Sequence, residues 1–234
     1  MAVVSIIQRV ADAFNIRMAG TEEKIAVKTR DVATGSMSMM DFMVPGILGM
    51  SIMSASVNST VSINAKNRAR GIFRKLATTP ISRLEWNASK IITQTIITLL
   101  SVAISLTAAV VLFGLRPNID AMALAFVILG TVTFVGLGMI LAVFLKSEDT
   151  ATSAAGMITF PLMFLSGSFF PVDSMPWFFK VIAEISPLTY LNNGLREVMI
   201  SGNFGDAVTN LIIVGLLGAA FFLIGAAALK WKED

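Results

Sequence analysis

The chain has 234 residues, of which 55% are hydrophobic and 14% charged, and a net charge of +3. Soluble domains carry about a quarter charged residues, so this composition, with a mean hydropathy of +0.78, points to one integral membrane domain. Cys and His are both absent, which removes disulfides, thiol nucleophiles, imidazole bases and most transition-metal sites.

Residues 1–41 hold five basic and five acidic side chains, so they do not span a bilayer. Arg9, Asp12 and Arg17 interrupt the start, which rules out a secretory signal peptide. Val4, Ile7, Ala11, Phe14 and Met18 recur at three- and four-residue spacing. That period predicts an amphipathic helix packed on the protein or the membrane surface.

Five charge-free runs follow, at 42–65, 91–115, 121–145, 150–172 and 207–229, each 23 to 25 residues long. A bilayer core of roughly 30 Å needs about 20 apolar residues in a helix. Barrel strands would show polar/apolar alternation, which these runs lack, so the expected fold is an all-α polytopic membrane protein with about five transmembrane helices.

The connection between the first two runs holds Lys66, Arg68, Arg70, Arg74, Lys75, Arg83 and Lys90 against Glu85. The positive-inside rule places it in the cytoplasm, and alternation places residues 171–205 outside and Lys230 to Lys232 inside. The same count puts residues 1–40 outside, as an extracytoplasmic segment preceding a membrane domain over 41–234. A chain so arranged is expected to lack a first transmembrane helix, as a truncated gene product or a fragment would.

Within the basic connection, Gly71 breaks the preceding helix. Ile72, Phe73 and Leu76 then form one apolar face of a short helix flanked by Arg74 and Lys75, and Thr79-Pro80 closes it. Ser82 and Glu85 stand at the spacing of a capping box for the next helix. This segment is either a basic loop held at anionic headgroups or a docking helix whose exposed Phe73 and cations enter a partner's groove. The other informative connection runs from Gly167, Phe169, Phe170 and Pro171 through Trp177 to Pro187, Tyr190 and Arg196. Its charge-free part, 185–195, is too short to span and reads as interfacial or re-entrant, or as an aromatic belt.

The two connections together resemble the ABC-2 type transporter permease family. Arg70-Gly71, Leu76, Thr79-Pro80, Ser82, Glu85 and Lys90 fall in register with its cytoplasmic loop, and Asp41 to Gly46 also look like the family. Leu165-Ser166-Gly167, Phe169-Phe170-Pro171, Pro176-Trp177, Pro187 to Tyr190 and Leu195-Arg196 match its external pattern. Asn67 and Ala69 stand where the family has acidic residues, and Ser89 where it has glycine. The resemblance implies that residues 71–76 are a coupling helix, with Arg70, Gly71, Ile72, Phe73, Arg74, Lys75, Leu76 and Pro80 docking a separate ATPase. Gly167, Phe169, Phe170, Pro171, Trp177, Pro187, Tyr190 and Arg196 would form the external re-entrant segment.

The chain has no Gly-Lys dipeptide and hence no phosphate-binding loop, so ATP and Mg are expected in the partner, with no cofactor on this chain. A second permease subunit, as homodimer or related chain, and membrane lipid are the other implied partners. No nucleic acid is implied, and the location is the plasma membrane. The expected role is export of a hydrophobic or amphipathic substrate such as a drug, lipid or lipid-linked glycan. The alternative is a non-transporting scaffold that recruits a cytoplasmic partner through the same loop.

Overall fold

A computed structural model describes residues 39–76, 78–80, 82–114, 119–144 and 147–228. The N-terminal segment expected over residues 1–40 lies outside the described residues but for its last two, as do the anchors from Lys230 to Lys232. The described secondary structure is helical throughout: α1 (Met39–Ala69), α2 (Ile72–Leu76), α3 (Arg83–Phe113), α4 (Ala121–Phe144), α5 (Glu148–Leu165), α6 (Trp177–Ile185), α7 (Pro187–Arg196) and α8 (Phe204–Ala228). Short 3₁₀ and π turns cover Val172–Ser174 and Glu197–Ser201.

Among the described residues, four helices are long and apolar enough to cross a membrane: Asp41–Ala69, Glu85–Leu112, Ala121–Phe144 and Phe204–Ala228. The fourth charge-free run, 150–172, is not one continuous helix. Its helix starts earlier, at Glu148, and stops at Leu165 after 18 residues. Gly167 then takes a left-handed φ of 73°, a turn that other residues adopt only at a cost. At about 1.5 Å per residue α5 reaches roughly 27 Å, close to a bilayer core without its flanks.

The core sits where α4 is enclosed by α1, α3, α7 and α8. Phe126, Thr131, Thr133, Phe134 and Met139 of α4 are completely buried. Thr131 and Thr133 satisfy their hydroxyls on the carbonyls of Val127 and Leu129 one turn back, and Thr133 also donates to Val214 of α8. Small residues let α4 and α8 come close: a Cβ on Gly136 would lie 2.6 Å from the Phe222 nitrogen, so only glycine fits there. By contrast, α3 lies at the edge. Ile92, Ile96, Leu100 and Ile104 recur every four residues and are all exposed, forming one apolar stripe that faces lipid in a membrane.

At one end, α1, α4 and α5 are tied together by charge. Lys66 pairs with Glu148 at 2.7 Å, Ser62 donates to the same carboxylate at 3.0 Å, and Arg68 donates to the last carbonyls of α4 at Ala142 and Val143. The hydrogen bond from Lys66, followed by that from Ser62, holds the Glu148 carboxyl below its ordinary range. Two members of the basic cluster are therefore committed to packing helices rather than free for a partner.

Candidate functional site

The two groups of residues singled out from the sequence sit at opposite ends of α1, which at about 1.5 Å per residue spans roughly 46 Å. At the loop end, α1 stops at Ala69 and Gly71 adopts a left-handed φ of 65°. A Cβ at Gly71 would meet nothing within 4 Å, so the backbone turn, not space, asks for glycine. Five residues of α2 follow. The hydroxyls of Thr78 and Thr79 then cap its last carbonyls, donating to Lys75 and Leu76 at 2.7 Å each. The Ser82–Glu85 capping box starts α3 with both hydrogen bonds in place.

Phe73 corrects the expectation that its ring is exposed. It is 6% exposed and joins Val135 and Met139 of α4 in a buried cluster, against which Leu76, Trp86, Ile91 and Phe222 pack. The physical reason is that the apolar face of α2 meets an apolar bundle first, and the ring gains more from burial there than from water. Lys90 lies over the rings of Phe73 and Trp86, 5.8 and 5.1 Å from their centroids, and donates to Asn64 of α1. The ammonium thus ties α1, α2 and α3 at one point through cation–π and hydrogen-bond contacts. Ile72 and Leu76 are half-buried, while Arg70, Arg74, Lys75 and Pro80 are exposed. What the loop end presents outward is cationic, not aromatic.

At the far end, α6 and α7 meet at Ser186-Pro187 and divide the work. Trp177, Phe178, Val181, Ile182 and Ile185 of α6 share one face and are exposed. Leu188, Leu191 and Leu195 of α7 are buried against α1 and α4. Buried polar side chains hold the corner. Asn192 donates to the Ser166 carbonyl at 3.1 Å and to the Ser168 hydroxyl at 2.8 Å, and the hydroxyls of Ser166 and Ser186 share a 2.6 Å hydrogen bond. A Cβ on Gly49 would overlap the Asn192 amide, so α1 carries glycine where α7 crosses it. Arg196 donates to the carbonyls of Phe42 and Gly167 at 3.3 and 3.1 Å and to Asn193 at 3.1 Å. Its guanidinium stacks 3.8 Å from the centre of the Phe42 ring.

Of the other residues singled out at this end, Gly167 and Pro187 are buried, Phe169 and Tyr190 are half-buried, and Phe170, Pro171 and Trp177 are exposed. Phe169 stacks on Phe164 at 5.3 Å, and Tyr190 donates to the Glu184 carbonyl at 2.7 Å. A cavity of about 320 Å³ opens beside Arg196. A second cavity of about 470 Å³, almost wholly apolar, lies between α3 and α4 and is floored by Leu48, Leu195 and Met199. Sequence reasoning missed Glu148, Asn64 and Asn192. The signal was present only as polar side chains inside or beside apolar runs, with nothing local to name their partners.

Four lipid-ready helices, a cationic loop helix fastened at one end and a broken helix pair at the other define a polytopic all-α membrane protein. Residues 12–200 match the model of the ABC-2 type transporter family, and the chain belongs to that family. It is 28% identical over 164 residues to the linearmycin resistance permease protein LnrN of Bacillus subtilis (strain 168), covering 70% of this chain and 42% of that protein. It is 26% identical over 216 residues to the probable multidrug ABC transporter permease YbhS of Escherichia coli (strain K12), covering 91% of this chain and 56% of that one. Nodulation protein J of Rhizobium leguminosarum bv. viciae is 28% identical over 97 residues, 42% of this chain and 38% of that protein. The chain spans about half the length of the two permeases.

Proposed function

We propose that this chain is a membrane-spanning permease subunit of an ATP-driven exporter, coupled through α2 and its flanks to a separate ATPase. The observation that carries this reading is the way α2 is held. Phe73 fastens it from the inside, leaving Arg74 and Lys75, with Arg70 before them, on the outer surface. A five-residue helix gains little stability from its own hydrogen bonds, so its retention at the end of the bundle, with a cationic face outward, suits a contact surface for an acidic groove. ATP and Mg belong to the partner, a second permease subunit completes the transporter, and the plasma membrane is its place. The names of the relatives, one a linearmycin resistance permease and one a probable multidrug permease, favour a hydrophobic or amphipathic cargo: a drug, a lipid or a lipid-linked glycan.

The test is a charge reversal that leaves the anchor alone. Capture of the full chain from native membranes is expected to recover a protein bearing a phosphate-binding loop. The double variant Arg74→Glu, Lys75→Glu is expected to lose at least about tenfold of it, since like charges set against a complementary face cost several kcal/mol. Undiminished recovery from a correctly inserted double variant would reject docking at α2. Association that persists while no nucleotide-dependent substrate movement occurs would favour a recruiting scaffold instead.

A further inference from the structure

We propose that the apolar cavity between α3 and α4 seats one unbranched acyl chain of a bilayer phospholipid. On the α3 side the lining follows a single helical face, from Leu99 through Ala103 and Thr107 to Val111. At about 1.5 Å per residue that face is roughly 18 Å long. A volume of about 470 Å³ spread over that length leaves a mean cross-section of roughly 26 Å². Carbon atoms in contact stand about 4 Å apart. A channel of roughly 5 Å each way therefore takes one carbon chain, with no room for a second chain or for a helix. Ala103, Thr107 and Ala123 are the small side chains of the lining and leave this space.

The wall offers nothing to a polar ligand. Among the described lining residues, Thr107 is the only polar one, and its hydroxyl donates to the Ala103 carbonyl at 2.8 Å. Burying a polar group without a hydrogen-bond partner is costly, so the part of the ligand inside the cavity is hydrocarbon.

Position points to the bilayer as its source. Leu48, Val127, Leu195 and Met199 form a buried floor, while Ala103, Thr107, Val111 and Leu124 form an exposed lip. The lip adjoins the exposed stripe of Ile96, Leu100 and Ile104 on the same helix, the surface that faces lipid. The cavity begins near the middle of α3 and ends at Val111 and Ile119, towards the far end. Its length is close to the depth of one leaflet, roughly 15 Å of hydrocarbon, so a tail anchored at the far-end interface reaches along it. The helix that borders it is also the least covered: 17% of the most apolar stretch of α3 is buried, against 61% for α4. A seated chain supplies the dispersion contacts that α3 lacks on that side.

The experiment is native mass spectrometry of the purified full chain, with dipalmitoyl and diphytanoyl phosphatidylcholine in competition. The two lipids share a headgroup and a main-chain length, and the second carries methyl branches that widen its tails. The straight lipid is expected to be retained at least about tenfold over the branched one, because a close-packed site resists added methyl groups. Ala103→Trp closes the lip from its exposed side and should abolish that preference with an unchanged melting temperature. Ile104→Trp adds the same ring to the neighbouring stripe, outside the cavity lining, and should keep the preference. Val111→Trp, at a position 74% exposed, replaces Ala103→Trp if that variant fails to insert. Equal retention of the two lipids by the wild type would mean ordinary contact with surrounding lipid and would overturn the proposal. An undiminished preference in a correctly inserted lip variant would overturn it too, as would an equal loss in Ile104→Trp. No readout involves an ATPase or a cargo, so failure here leaves the permease reading standing.

Discussion

The two ends of α1 are fastened by opposite chemistry. At the loop end an apolar ring, Phe73, goes inward and the cations Arg74 and Lys75 stay outside. At the far end amides and hydroxyls, Asn192, Ser166, Ser168 and Ser186, go inward, and apolar side chains such as Trp177 and Ile185 stay outside. The difference follows from what each end must satisfy. The loop end is a surface helix whose backbone can turn to water, so an apolar anchor suffices. The far end breaks α5 within reach of the bilayer, leaving the carbonyls of Ser166 and Gly167 beyond the helix. In hydrocarbon such groups must find partners within the protein, and Asn192 and Arg196 supply them.

Removing either anchor tests the contrast. The largest effect is expected from Phe73→Ala, at about 3–5 kcal/mol for a buried aromatic. Because Phe73 holds only α2, the loss should appear as faster amide exchange over residues 71–80, with the far end unchanged. Slowed or unaltered exchange there would mean that α2 is held by something else. Next is Asn192→Ala, which strands the Ser166 carbonyl and the Ser168 hydroxyl and should cost about 2 kcal/mol. It should be read as a lower melting temperature together with exposure of the α6–α7 corner to limited proteolysis. If Asn192→Ala melts like the wild type, polar fastening of the far end is wrong. The smallest is Gly71→Ala. With open space around it, only the left-handed φ resists the methyl, at about 1–2 kcal/mol. Gly71→Asn should cost less than alanine because asparagine tolerates that region, and a reversal of that order would contradict the backbone argument.

Much of the architecture was legible from residue order alone. The runs at 42–65, 91–115, 121–145 and 207–229 correspond to α1, α3, α4 and α8, because lipid-facing helices advertise themselves by length and absence of charge. The Gly71 break and the Ser82–Glu85 box were legible because each depends on neighbours three or fewer residues away. The direction of Phe73 was not. A five-residue amphipathic helix has an apolar face whether a partner or its own bundle covers it, and no local spacing separates the two. The pairing of Lys66 with Glu148 was hidden for a similar reason: it joins residues far apart in sequence, and only the packing of α1 against α5 brings them together. Asn192 looked like ordinary polar punctuation in a short charge-free segment, and its burial depends on α7 turning inward.

The fastening of α2 also has a mechanical side. The left-handed turn at Gly71 joins α2 to α1, with the Gly71 N–H donating to the Arg68 carbonyl and the Lys75 N–H to the Gly71 carbonyl. Phe73 against α4 and the Lys90 ammonium from α3 make the opposite side a clamp. A torque applied to α2 is therefore borne first by α3 and α4, and it reaches α1 through their packing against it and through the hydrogen bond from Lys90 to Asn64.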